Sequence, residues 1–99
     1  MKYLKVRWLH SDPNDPIWLY SEIDSNRWEI RKVELFADGR AAFAGPDRAS
    51  EDPRCLLSIE PLPDSREIAS DPQFLVTEIS KSEFEEVWET NAMQIAGVS

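Results

Sequence analysis

Two residues that could carry nucleophilic chemistry occur once each, His10 and Cys55. A Cys–His pair works through spatial proximity: the imidazole takes the thiol proton and the thiolate attacks. Cys55, however, lies in Arg54-Cys55-Leu56-Leu57, an apolar setting that suits a packed thiol in a reducing compartment. A metal centre needs several compatible ligands, and one His distant from one Cys makes no such signature. No calcium-loop spacing occurs, and the three glycines are scattered rather than gathered into a phosphate-cradling loop. Neither a metal nor an organic cofactor is expected.

Carboxylates are plentiful. General acid–base work needs one acid raised by an apolar pocket and another kept ionised, and no pair stands out that way. Asp12, Asp15, Glu51 and Asp52 lie in turns, where capping and solvation account for them.

The distribution of acid is more informative. Residues 1–48 carry eight Lys/Arg and eight Asp/Glu; residues 49–99 carry three Lys/Arg against eleven Asp/Glu, the whole net charge of −8. Such a field repels a nucleic-acid backbone and draws in a basic partner. Glu83, Glu85, Glu86 and Glu89 crowd one predicted helix, with Asp64, Glu67 and Asp71 as auxiliaries upstream. A charge run is ordinarily a solvated helix face. Here no lysine at helical spacing balances it, and like charges at i, i+3 or i+4 cost a few tenths of a kcal/mol each.

Four Trp in 99 residues are many. Trp8, Trp28 and Trp88 sit in phase with apolar neighbours and are expected in the core. Trp18 is not so placed. With His10 and with Arg31 or Lys32 for an anionic group, it defines an alternative: a Trp-lined groove for a nucleotide-like small ligand.

These side chains need elements to position them. Tyr3 to His10 alternates, with Leu4, Val6 and Trp8 on one side and Lys5 and Arg7 on the other, as a half-buried strand does. A Pro/Asp-rich turn leads to a second strand, Ile17 to Ile23. A third follows from Arg27 to Phe36, with Trp28 and Ile30 on one face, Val33 and Leu35 on the other, and a bulge near Arg31-Lys32. Asp38-Gly39 is a hairpin signal returning a fourth strand, Arg40 to Ala44.

Arg54 to Ile59 reads as a fifth strand. Asp64 caps a short helix to about Ser70, and Phe74 to Ile79 is extended or a brief strand. Ser80-Lys81-Ser82-Glu83 is a capping box opening a helix to about Asn91, with Phe84, Val87 and Trp88 on one stripe. Ala92 to Ser99 lacks a pattern and is expected to fray. No apolar stretch reaches the length of roughly 18 residues that a membrane helix needs, and no leader precedes the first strand. A cytoplasmic protein is expected.

The chain also resembles a small bacterial domain family. The resemblance rests on Trp8-Leu9-His10-Ser11-Asp12-Pro13, Leu19-Tyr20-Ser21-Glu22, Arg27-Trp28-Glu29-x-Arg31-Lys32-Val33-Glu34-x-Phe36-x-Asp38-Gly39, Ile59 to Pro63, and Phe84-Glu85-x-x-Trp88. It spans nearly the whole chain and carries over no catalytic residue. Short acidic bacterial proteins of this kind look like immunity proteins, which neutralise a toxin.

The expectation is one α+β domain over residues 1–99: an antiparallel sheet of four to five strands, packed by a C-terminal amphipathic helix and a short helix. Functionally it is a non-enzymatic acidic binding protein that occludes the basic cleft of a toxin domain.

Overall fold

The computed structural model describes residues 1–52 and 54–93. Five antiparallel strands form one sheet in the order β4-β3-β2-β1-β5. β1 (Lys2–Trp8), β2 (Trp18–Ile23), β3 (Glu29–Leu35) and β4 (Ala41–Ala44) are a meander, and β5 (Phe74–Ile79) joins its open side beside β1. Between β4 and β5 runs a long connection carrying α1 (Ser65–Ala69). After β5 the chain turns directly into α2 (Lys81–Trp88), which continues as a π-helical turn, Glu89–Met93.

The fold class is the expected α+β one, with the C-terminal helix packed on the sheet. Local chemistry explains most boundaries. Gly39 adopts φ +93 in the Asp38-Gly39 turn, a region that strongly favours glycine. The Asp64 carboxylate accepts from the Arg66 N–H at 2.8 Å, and the Ser80 hydroxyl accepts from the Glu83 N–H at 3.1 Å. Each satisfies one of the donors that a helix start leaves open.

Both sheet faces are covered. On the helix face, Phe84, Trp88 and Ala92 pack against Tyr3, Tyr20, Val33 and Phe43. On the opposite, loop face, Leu62, Ile68 and Phe74 pack against Leu4, Val6 and Ile23, while Cys55 and Leu57 close over Phe36, Ala42 and Ala44.

Four expectations need correction. Arg54 to Ile59 is not a strand: Cys55 is buried, but Leu56 and Ile59 are 67% and 90% exposed. The segment is anchored by single residues and does not join the sheet. The fifth strand is Phe74–Ile79, because the partnerless edge of β1 accepts it.

The bulge falls one residue early. Ile23 pairs with Glu29 and Glu22 with Arg31, leaving Ile30 as the extra residue. Trp28, on the far side of that bulge, is 41% exposed rather than in the core. Ala92 does not fray: it is buried, and its carbonyl accepts from Arg48 at 3.0 Å. Residues 94–99 lie outside the described residues.

Gly45 lets the sheet and α2 approach closely. A Cβ there would lie 2.9 Å from the Trp88 ring and 3.2 Å from Arg31 Cγ. Gly45→Ala should therefore destabilise the domain by about 1–3 kcal/mol, measurable as a lower urea midpoint with unchanged slope.

Candidate functional site

The strongest polar constellation lies under α2. Cross-strand pairing sets Glu22 opposite Arg31 on the helix face. Arg31 donates to Glu22 through Nε at 2.6 Å and through Nη2 at 3.0 Å, and Nη2 also reaches the Glu85 carboxylate. The Tyr3 hydroxyl donates to Glu22 Oε2 at 3.0 Å. The guanidinium carbon lies 5.0 and 5.1 Å from the ring centroids of Phe84 and Trp88, so it stacks on the helix's apolar stripe.

Glu22 is only 6% exposed. A carboxylate so buried is stable only when paired and hydrogen-bonded. The hydrogen bonds from Arg31 hold its carboxyl below the usual range, outweighing the upward push of burial. They also hold the guanidinium firmly protonated. Burial, with the Glu22 carboxylate beside it, pushes the Tyr3 phenol up. The network is a closed structural unit.

This geometry reassigns several candidates. Arg31 is committed to the network. Lys32, one residue on, points to the loop face, where Nζ donates to the Leu56 carbonyl at 2.6 Å and pairs with Glu34 at 3.4 Å. Trp18 lies on the helix face beneath Lys5 Nζ at 4.6 Å and the Arg7 guanidinium at 5.1 Å.

His10 closes a turn: its Nε2–H donates to the Pro16 carbonyl at 2.7 Å, and Nδ1 accepts from the Asp12 N–H at 3.0 Å. Trp18 and Arg31 therefore share one face, Lys32 lies on the other, and His10 belongs to a loop. No single groove holds all four. Cys55 packs against Phe36 and Ala44. Burial pushes its thiol up to about 12, which keeps it protonated and unreactive at neutral pH.

The acidic residues divide likewise. Glu83 and Glu86 are exposed on α2 and Glu89 on the turn that continues it, whereas Glu85 is half-buried against Arg31. Asp64, Glu67 and Asp71 belong to α1 and its flanks, in the opposite layer. Asp64 caps α1, and Asp71 accepts from the Gln73 N–H at 2.9 Å. The acidic surface that one partner could meet is thus the α2 row, with Lys81 beside it.

These patterns recur beyond this one chain. Residues 2–93 match the sequence profile of a domain family of unknown function, DUF6881. The chain belongs to that family. No curated protein and no solved structure matches it. The DUF6881 match covers all five strands, both helices and every member of the Arg31 network.

Among the described residues no three His, Cys, Asp or Glu side chains gather as metal ligands, and no helix is long and apolar enough to cross a membrane. Nothing local in the sequence marks Glu22 or Tyr3 as partners of Arg31. Only the register across the bulge brings them to Arg31.

Removing one partner of this network should cost far more than removing both. Arg31→Met leaves Glu22 buried and unpaired, and should cost about 3–5 kcal/mol. The double variant Arg31→Met with Glu22→Gln should recover most of that loss in urea unfolding. The pH dependence has two limbs. Glu22 has a folded pKa below its unfolded value, so its contribution is complete above the carboxylate range and disappears as pH falls through it. Tyr3 is raised, so its contribution holds below about pH 10 and is lost above. Glu22→Gln should flatten the acid limb, and Tyr3→Phe the alkaline one.

Proposed function

We propose that this domain is a non-enzymatic binding protein of bacterial origin, acting in the cytoplasm as an immunity-type inhibitor. The observation that carries the reading is the exposed row Glu83, Glu86 and Glu89 on a helix whose inner side is pinned by Arg31 and Trp88. A fixed row of like charge needs no reorganisation on docking. It steers a cationic partner electrostatically, raising the association rate more than the intrinsic affinity.

Two further features agree with this reading. Glu85 is neutralised from beneath by Arg31, which leaves the outward carboxylates as the docking charges. The candidate nucleophile and base are both engaged elsewhere, Cys55 in packing and His10 in a turn. The partner's complementary surface is a cluster of Lys and Arg such as lines the cleft of a toxin acting on nucleic acid or nucleotides. Asp64, Glu67 and Asp71 take no part in this docking, because the sheet separates them from α2.

The test uses a basic toxin-like domain, sought first in the genes that adjoin this one. Co-expression should protect cells from it, and association should slow as salt rises. Glu83→Lys, Glu86→Lys and Glu89→Lys together should cut the association rate at low salt by about tenfold or more while the thermal melt stays cooperative. Salt-insensitive association, or full protection by the triple variant, would overturn the reading.

A further inference from the structure

The loop face holds a cavity of about 460 Å³ that the α2 surface does not touch. Small-molecule sites occupy roughly 300–1,000 Å³. Its floor is apolar: the half-buried Leu19 of β2 is the accessible part, backed by the buried Leu4 and Val6 of β1. Trp8 and Phe74, with ring centroids 5.9 Å apart, supply an aromatic wall. The Trp8 indole N–H is turned to Gln73 Oε1 at 3.3 Å, so its ring contributes apolar surface.

A second wall, Leu62-Pro63, is held in place from outside the cavity. The Leu62 N–H donates to the Arg27 carbonyl at 2.7 Å, and the Arg27 guanidinium donates to the carbonyls of Leu62 and Pro63. Arg27 has φ 71, a left-handed conformation that L-residues other than glycine rarely adopt. Such a conformation persists where its surroundings over-determine it. The wall is therefore fixed before any ligand arrives.

The polar lining includes Asn14, Asp15, Ser21, Glu29 and Arg54, and on β3 it presents one adjoining pair. Lys32 and Glu34 of β3 line it together, with side chains 17% and 13% exposed. The ammonium has three N–H donors; one goes to the Leu56 carbonyl, and the Glu34 carboxylate lies 3.4 Å away as its ion-pair partner. The Glu34 carboxylate has about four lone-pair sites; it faces Lys32 and the Cys55 thiol, and the remaining sites can accept. A donor and an acceptor thus stand side by side at the end of an apolar slot.

From this we infer that the cavity binds a flat, uncharged heterocycle that presents an acceptor beside a donor on one edge, as nucleobases do. Ring faces would lie on the apolar floor, and the edge would meet Lys32 and Glu34. A phosphate adds nothing. The charged lining sets Lys32 and Arg54 against Asp15, Glu29 and Glu34, and Arg54 leans on Asp52.

Titration of the labelled protein with adenosine, guanosine, cytidine and uridine, followed by two-dimensional NMR, tests this. Indole and benzoate serve as comparison ligands. At least one nucleoside should saturably shift the Trp8 indole N–H and the Lys32 amide. Glu34→Gln and Lys32→Met should each weaken it by about tenfold or more. Leu19→Phe, which fills the floor without touching the polar pair, should also weaken it. No saturable shift with any nucleoside, unchanged affinity in both polar variants, or indole binding as tightly as every nucleoside would each overturn the inference. The α2 triple charge reversal should leave nucleoside binding intact, so this result and the docking result fail or succeed separately.

Discussion

The guanidinium of Arg31 is the constraint on which the rest of the domain depends. It joins β3 to β2 through Glu22, α2 to the sheet through Glu85, and β1 to both through the Tyr3 bond to Glu22. A buried ion pair is weak evidence for stability in itself, because desolvating two charges offsets most of their attraction. Its value here is geometric. Glu22 and Arg31 face each other beside the bulge, where the β2–β3 register is easiest to lose. A slip of one residue would send Arg31 to the loop face and Lys32 under α2. Glu22 would then be buried without its bidentate partner, so the alternative register is penalised by a whole charge.

That pinning also decides which surfaces remain free. Because Arg31 takes up Glu85, α2 lies flat against the sheet, with Phe84 and Trp88 inside and the other glutamates outside. Because strand residues alternate, Lys32 and Glu34 must then point to the loop face, where they line the cavity. The acidic helix surface and the apolar cavity are thus opposite outcomes of one register. The sheet keeps them apart, and this is why the acids of α1 cannot reinforce those of α2.

Much of this fold was legible in the sequence, and the reasons are local. The alternation of Leu4, Val6 and Trp8, the Asp38-Gly39 turn, and the Ser80 and Asp64 caps each depend on residues within a few positions of one another. What misled was non-local. Cys55-Leu56-Leu57 has the composition of a strand, yet it lies across the loop face, with Cys55 and Leu57 packed on Phe36, Ala42 and Ala44, instead of pairing along an edge. Trp28 looked in phase with Ile30 until the bulge at Ile30 broke that phase. Arg31 and Lys32 were both readable as ligand-binding cations, because sequence does not reveal that Glu22, nine residues away, waits across the register.

The acidic half of the chain folds against a neutral half without mutual neutralisation. Few cross-half ion pairs form among the described residues: Arg31 with Glu85 is one, and Lys32 pairs within its own strand. Other cations of the first half are engaged differently. Lys5 and Arg7 lie over Trp18, Arg27 holds backbone carbonyls at Leu62-Pro63, and Arg48 holds that of Ala92. Positive charge is thus spent on rings and main-chain oxygens, which leaves the carboxylates of α2 uncompensated. Such a distribution adds self-repulsion to a domain of net charge −8. A fold can sustain that strain when its core contacts are dense and its helix is anchored from beneath, and the stacking of Arg31 on Phe84 and Trp88 is that anchor.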